Sequence, residues 1–237
     1  MPEYTSIDLD NMQKSADEKI LSYNDVVLRQ SDLGILSGPH FMNDRIIEFY
    51  FSYLSSCHSQ DILLVPPSIA FWLMNCPDAT SLKDFIEPLK LHEKKLVIFP
   101  VNDNDDVSVA DGGSHWSLLA YDRNANVFVH HDSNHGMNKL RAQQLFRAVV
   151  GFMGDSTSVF NAKHLEFSDS PQQTNGYDCG VYVTAIARVL CCWYDSSEHK
   201  DKGDMWFSSV KEQITPSAVA EMRKEILQLI KGLIGGK

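Results

Sequence analysis

The chain carries the stretch SPQQTNGYDCG at residues 170–180, followed directly by the apolar run VYVTAIARVL at residues 181–190. The first part is polar and rich in turn-forming residues, whereas the second is typical of a buried helix. Cys179 therefore lies where a loop gives way to a helix. Backbone N–H groups in the first turn of a helix are unpaired and favour negative charge, so they lower the pKa of a thiol placed there. The stretch predicts a reactive cysteine or, as is common for free cysteines, a buried structural one.

The composition is typical of a soluble globular protein. Of the 237 residues, 43% are hydrophobic and 22% are charged, with a formal net charge of −10. This acidity argues against a nucleic-acid or anionic-membrane surface, and we expect neither partner. The five cysteines have no Cys-x-x-Cys spacing, which favours a reducing compartment, the cytoplasm or the nucleus. No stretch approaches the ~18 apolar residues of a membrane span.

The order of the predicted elements indicates an α+β fold. Residues 1–19 are polar and acidic and predict a disordered or loosely held tail, whereas residues 20–237 contain no long linker and predict a single domain. Residues 26–36 predict a short helix and an extended connection. Further helices are predicted at 45–55, from 66, from 81 with Ser81 as cap, at 139–153, from 179 and at 216–233, and strands at 95–101, 114–121, 127–132 and near 159–167.

A cysteine nucleophile needs a base, and the base needs a third group that orients it. His115 lies on the strand predicted at 114–121, and Asp132 closes the next predicted strand. A turn that pairs Tyr121 with Asn126 places His115 directly opposite Asp132, on the same face of the sheet. A register shift of one residue would destroy this alignment. The alternative is a histidine whose partners are backbone groups.

Metal binding is a separate possibility for this region. The densest cluster of potential ligands is formed by His130, His131, Asp132 and His135, and zinc prefers such donors. Neighbours on a strand point to opposite faces, so His130 and His131 cannot readily share one ion. We therefore expect no metal and no other cofactor.

The blocks GSHWSLL (113–119), HDS (131–133) and PQQ through DCG (171–180) resemble the signature blocks of the ubiquitin-like-modifier protease family, which comprises the SUMO-specific proteases and a related deneddylase. The resemblance runs from about residue 20 to the C-terminus. It implies a papain-like α+β fold with a central mixed sheet flanked by helices. It also implies Cys179 as nucleophile, His115 as general base and then acid, and Asp132 as the orienting group. Gln173 would donate its side-chain amide to the oxyanion, with Gln172 as the competing assignment.

The resemblance further implies a narrow channel for a diglycine tail. Trp116 would lie over this channel, because only residues without side chains pass beneath an indole; a core tryptophan is the alternative. The block FMND (41–44) resembles a family block that usually begins with tryptophan, so Phe41 is a departure whereas Asn43 and Asp44 match. Asp44 could pair with a basic residue near the modifier's C-terminus, and helix capping explains the same two residues equally well. Tyr177 resembles the deneddylase branch, since SUMO proteases more often carry a small residue there.

We therefore predict a monomeric cysteine protease that cleaves after the C-terminal diglycine of the neddylation modifier. It would process the modifier's precursor and release the modifier from cullins and other proteins. A SUMO-specific protease with the same catalytic residues is the first alternative. An acetyltransferase that uses the same triad is the second, and a non-catalytic modifier-binding module is the third.

Overall fold

The computed structural model describes residues 18–109, 112–154, 161–196 and 205–236, apart from the side chains of residues 79 and 80. Its strands are β1 (Lys19–Tyr23), β2 (Val26–Arg29), β3 (Ile62–Leu64), β4 (Leu96–Asn102), β5 (Trp116–Asp122), β6 (Val127–His131) and β7 (Lys163–Glu166). Its helices are α1 (Gln30–Ser37), α2 (Asp44–Cys57), α3 (Pro67–Asn75), α4 (Ala79–Ile86), α5 (Lys139–Val149), α6 (Cys179–Asp195), α7 (Phe207–Gln213) and α8 (Pro216–Gly235). Most of the predicted tail, residues 1–17, lies outside the described residues, and β1 already begins at Lys19.

A mixed sheet with the strand order β3-β4-β5-β6-β7 forms the centre of the structure. The pairs β4–β5 and β5–β6 are antiparallel, and the pairs β3–β4 and β6–β7 are parallel. Alternate residues of β4 enter two different cores: Leu96 and Ile98 pack with α2 and α6, whereas Val97 and Phe99 pack with α3 and α5. Helices thus cover both faces, which explains why residues 96–101 form a continuous apolar run. The predicted α+β fold with a mixed central sheet is confirmed.

Helix α6 is buried along most of its length. All of its residues from 179 to 191 are buried except Arg188. It packs against β5, α2 and α8, so its first residue, Cys179, has a fixed position. Among the described residues, no helix is both long and apolar enough to cross a membrane.

The N-terminal elements differ from the prediction. Residues 26–29 form a strand, which pairs with β1 through a tight turn at Asn24 and Asp25, where φ is 43° and 68°. The helix predicted there was wrong, because a short apolar run does not distinguish a helix from a strand. The extended connection predicted after it was also wrong, since residues 30–37 form α1. Helix α4 begins at Ala79 rather than at Ser81, since the Asp78 carboxylate accepts the N–H of Ser81 at 2.9 Å. Strands β1 and β3 and helix α7 were not predicted.

The β5–β6 hairpin pairs in a register two residues away from the predicted one. Tyr121 stands opposite Phe128 rather than Asn126. Asn126 belongs to the turn, where it takes a φ of 50°, and the Asp122 carboxylate accepts the N–H of Ala125 at 2.8 Å. Because the shift is two residues, every side chain keeps its predicted face of the sheet.

Candidate active site

His115 and Asp132 lie at the open end of the β5–β6 hairpin, one residue before β5 and one residue after β6. Nε2 of His115 is 2.7 Å from Oδ1 of Asp132, and the two residues are only 2% and 4% exposed. In the observed register Asp132 continues the strand opposite Ser117, so His115 and Asp132 are diagonal neighbours on one face. The predicted contact is present, although the predicted register was wrong.

The Asp132 carboxylate is oriented by the loop that follows it. Its Oδ1 also accepts the N–H of Asn134 at 2.8 Å, and its Oδ2 accepts the N–H of Asn138 at 2.8 Å. The fully buried Asn138 side chain donates to the carbonyl groups of Val101 at 3.1 Å and His115 at 3.2 Å. Burial by itself raises the pKa of Asp132, but His115 and the two N–H groups outweigh it and hold this pKa below its usual value. Asp132 is therefore an anion at neutral pH.

A second carboxylate, Asp103, fixes the main chain of His115. It accepts the N–H groups of Ser114 at 2.6 Å and His115 at 2.9 Å, and its own N–H donates to the His115 carbonyl at 3.2 Å. Gly113 precedes these residues with a φ of 85°, and a Cβ there would lie 2.0 Å from Oδ1 of Asn102. The turn therefore requires glycine. Sequence reasoning missed Asp103 and the buried Asn138 described above, because both are polar loop residues with no distinctive spacing.

Cys179 is the first residue of α6 and is 1% exposed. Its thiol lies close enough to the His115 ring to raise the pKa of that ring, and because Nε2 is bound to Asp132, Nδ1 is the ring nitrogen left for the sulfur. Burial lowers the pKa of His115, but the hydrogen bonds to Asp132 and Cys179, together with their charges, raise it to about 9. At neutral pH an imidazolium therefore lies beside the sulfur, which is the arrangement that activates a thiolate nucleophile.

Gln173 is held by the end of the hairpin. Its N–H donates to the Ser133 carbonyl at 2.8 Å, and its side-chain Oε1 accepts the Ser133 hydroxyl at 2.8 Å. Its Nε2 donates to the carbonyl of Asn175 at 2.8 Å. An amide nitrogen carries two hydrogens, so the second one can still serve an oxyanion.

Gln172 points away from this position. Its Nε2 donates to the carbonyls of Asp132 at 3.0 Å and Ser170 at 2.7 Å, and its Oε1 accepts the N–H of His135 at 2.8 Å. Both amide hydrogens of Gln172 are thus in use. The geometry favours Gln173 as the oxyanion donor.

His130 and His131 point to opposite faces, as predicted. His131 accepts the indole N–H of Trp206 at 2.8 Å, and burial, followed by nearby His130, lowers the pKa of His131 to about 3. His130 lies between the Glu166 carboxylate at 2.7 Å and the Ser117 hydroxyl at 2.9 Å. Across the described ranges, no three His, Cys, Asp or Glu side chains are arranged to hold a metal ion.

Four of the predicted substrate-binding residues meet at one groove. This cavity of about 700 Å³ is lined by Phe41, Asn43, Asp44 and Trp116, among others. The indole N–H of Trp116 donates to the carbonyl of Met42 at 3.1 Å, which ties β5 to the segment before α2. Phe41 is 53% exposed. Phe41 therefore offers apolar area beside an indole whose position is already fixed.

Asn43 and Tyr177 have partners within the protein. Asn43 caps α2, because its Oδ1 accepts the N–H of Ile46 at 3.0 Å, and its Nδ2 donates to Asp32 at 2.7 Å. The predicted capping role is confirmed. Tyr177 does not line the groove, and its ring lies against the Arg223 guanidinium, with 5.6 Å between Cζ and the ring centroid. The structure thus separates Tyr177 from the other four residues.

A buried Cys–His–Asp set, with the cysteine at the start of a helix and the other two residues at the ends of two central strands of a mixed sheet, defines a cysteine protease. The family model "Ulp1 protease family, C-terminal catalytic domain" matches residues 40–227. The chain belongs to the Ulp1 protease family.

Named relatives extend over nearly the whole chain. It is 56% identical to NEDD8-specific protease 1 of Arabidopsis thaliana, over 93% of this chain and 96% of that protein. It is 32% identical to human sentrin-specific protease 8, over 92% of this chain and 98% of that protein. The solved C-terminal Ulp1 protease domain in complex with Smt3, the yeast ortholog of SUMO, superimposes with a TM-score of 0.69 at 18% identity, covering 98% of this chain and 97% of that one. This last likeness establishes the shared fold.

Proposed function

We propose that the protein hydrolyses the bond after the C-terminal diglycine of NEDD8. It processes the NEDD8 precursor and releases NEDD8 from lysines of cullins and other proteins. The observation that carries the chemistry is the buried His115–Asp132 contact beside Cys179. The choice of NEDD8 is supported by the high identity to the Arabidopsis NEDD8-specific protease over nearly the full length of both chains.

In the first half of the reaction the Cys179 thiolate attacks the carbonyl carbon of the terminal glycine. The backbone N–H of Cys179 and the second Nε2 hydrogen of Gln173 stabilise the oxyanion, and losing one such donor costs about 3 kcal/mol. The C–N bond then breaks as His115 gives its Nδ1 proton to the leaving amine. The product is a thioester between Cys179 and the modifier.

Water completes the cycle. The now neutral His115 accepts a proton from a water molecule, whose oxygen attacks the thioester carbonyl. The C–S bond breaks, Cys179 leaves as a thiolate, and the modifier departs with a free carboxylate. Asp132 stays ionised throughout and keeps the Nε2–H of His115 oriented.

The diglycine tail lies in the groove beneath Trp116. Glycines suit this position because they bring no side chain under the indole. The hydrogen bond from the Trp116 indole to the Met42 carbonyl supports a groove wall that is already formed before the substrate binds. Asp44 adds negative charge to the groove, which suits a basic residue in the tail.

Cleavage of C-terminal fluorogenic derivatives of NEDD8, SUMO and ubiquitin tests this function. We expect the highest kcat/KM for NEDD8 and no turnover by Cys179→Ala. Equal or better turnover of SUMO would refute the choice of modifier, and retained activity in Cys179→Ala would refute the mechanism. Gln173→Ala is expected to lower kcat about 100-fold, with a smaller loss in the matched variant Gln172→Ala.

The alternative activities have their own assays. An acyl-coenzyme A incubation detects acetyl transfer, and a NEDD8 vinyl sulfone detects a catalytic thiol through a mass increase at Cys179. A NEDD8–cullin conjugate, followed by gel electrophoresis, tests the conjugate directly. The proposal also includes a monomer in the cytoplasm or nucleus, which analytical ultracentrifugation and a fluorescent fusion would examine.

A further inference from the structure

We infer that Arg223 of α8 is a positioning residue for the proposed protease reaction. Its guanidinium lies between the segment that leads to Phe41 and the loop that ends at Cys179. Arg223 is only 8% exposed. Its Nε and Nη2 donate to Oδ1 of Asp178 at 3.0 and 2.7 Å, so the cation is paired with the residue directly before the nucleophile.

The remaining hydrogens of the guanidinium bind main-chain carbonyls. Nη1 donates to Ile35 at 3.0 Å and Gly38 at 3.3 Å, and Nη2 donates to His40 at 3.0 Å. Ile35 lies in the last turn of α1, whose carbonyls have no partners within the helix. Arginine carries five N–H donors in a rigid plane, and the contacts here occupy the whole fork. We call Arg223, Asp178 and the carbonyls of these three residues the Arg223 junction.

The Asp178 side of the Arg223 junction controls the loop that precedes the nucleophile. Oδ2 of Asp178 accepts Nδ2 of Asn175 at 2.7 Å. Oδ1 of Asn175 in turn accepts the N–H groups of Tyr177 and Asp178, both at 3.0 Å. The same asparagine offers its carbonyl to Gln173. A shift of the Asp178 carboxylate therefore displaces both the start of α6 and the proposed oxyanion donor.

The His40 side controls one wall of the groove. His40 is followed by Phe41 and Met42, and the Met42 carbonyl holds the indole of Trp116. A Cβ at Gly180 would lie 2.7 Å from Cβ of Met42, so this wall already touches the helix that carries the nucleophile. One guanidinium thus sets the distance between the tail-binding wall and the reactive thiol. Misplacing reacting groups by about 1 Å costs about 100-fold in rate.

The test compares Arg223→Gln and Arg223→Lys with a matched control. Glu225→Gln breaks the Arg188–Glu225 ion pair, which joins α6 and α8 at the surface, away from the Arg223 junction. We expect Arg223→Gln to lower kcat/KM for a fluorogenic NEDD8 derivative about 100-fold. A lysine is a single point charge and binds Asp178 without reaching the carbonyls. Arg223→Lys should therefore recover kcat, because the loop before Cys179 is held again, while KM stays high, because the groove wall after His40 is not. Glu225→Gln should behave as wild type.

A second readout does not depend on the modifier. Alkylation of Cys179 by iodoacetamide is followed by peptide mass spectrometry, with exposed Cys57 as the internal reference. The Cys179 rate should fall in Arg223→Gln and return in Arg223→Lys, while the Cys57 rate stays constant. If Cys179 of the wild-type enzyme is alkylated at the expected rate but the enzyme does not cleave the NEDD8 derivative, the proposed function is wrong. This inference then still stands.

Three results would overturn the inference. The first is a folded Arg223→Gln with wild-type kcat/KM and alkylation rate. The second is a fall in kcat and a rise in KM that are equal in the two Arg223 variants and accompany a fall in Tm. A merely structural role gives that pattern. The third concerns Arg223→Lys, which carries the test if Arg223→Gln does not fold. Wild-type values of kcat, KM and the Cys179 alkylation rate in Arg223→Lys would overturn the inference.

Discussion

Replacing Asp132 with asparagine is expected to lower the pH at which His115 loses its proton. Burial opposes the charged ring, yet its pKa is about 9 against an ordinary 6.5, which corresponds to about 3 kcal/mol in favour of the imidazolium. Asp132 and Cys179 share this effect, and Asp132 contributes the larger part. Burial still opposes the charged ring when the carboxylate is gone, so at least about 2 kcal/mol is lost, which lowers the pKa by at least about 1.5 pH units.

The assay is kcat/KM for the NEDD8 derivative between about pH 6 and about pH 10, because the alkaline limb reports the acid that protonates the leaving amine. The wild-type limb is expected near pH 9, and the Asp132→Asn limb at least about 1.5 units lower. Asp103→Asn is the matched control, since the bonds between Asp103 and His115 involve only the main chain of His115 and not its ring. An Asp132→Asn limb that stays near pH 9 would refute the role assigned to Asp132.

The raised pKa of His115 also makes stability depend on pH: its contribution is full below the unfolded pKa of 6.5 and lost as the pH rises to the folded value of about 9. Urea denaturation should show the free energy of unfolding falling by up to about 3 kcal/mol over that window, and a flat profile would contradict the pairing. Asn138→Ala removes the side-chain bonds to the Val101 and His115 carbonyls and should cost about 1–3 kcal/mol in the same measurement; an unchanged midpoint would show that these bonds contribute nothing. Gly180→Ala places a Cβ 2.7 Å from Cβ of Met42 and should cost about 1–3 kcal/mol by overpacking, whereas Gly34→Ala, with open space around it, should not lower the Tm. Equal Tm values for the two glycine variants would show that Met42 yields to the added methyl group.

The parts of the site that the sequence predicts are those encoded by local patterns. The polar loop before an apolar run identified the start of α6 at Cys179, and the alternation along two strands placed His115 and Asp132 on one face. The predicted register of the β5–β6 hairpin was wrong by two residues, because Asn126 adopts the left-handed conformation and belongs to the turn. The His115–Asp132 contact was still predicted correctly, because side chains along a strand alternate with a period of two and a shift of two residues keeps them on the same face.

Long-range partners could not be predicted in this way. Arg223 lies 45 residues from Asp178 and 188 from Ile35 along the chain. On an amphipathic helix such an arginine has the pattern of a solvent-facing residue, and only the packing of α8 buries it. The same holds for Asn138, whose two acceptors lie on different strands or their ends.

The place of Cys179 on α6 has a consequence for how the enzyme loses activity on heating. The helix is enclosed by the sheet, α2 and α8, and its residues 179–191 are buried except Arg188. Segments of this kind open with a free energy close to that of global unfolding, so the hydrogen-bonded amides beyond the first turn of α6 are protected by that free energy. The nucleophile is therefore not withdrawn by local fluctuations that leave the rest intact. Inactivation and cooperative melting are then a single event, with one midpoint temperature for both.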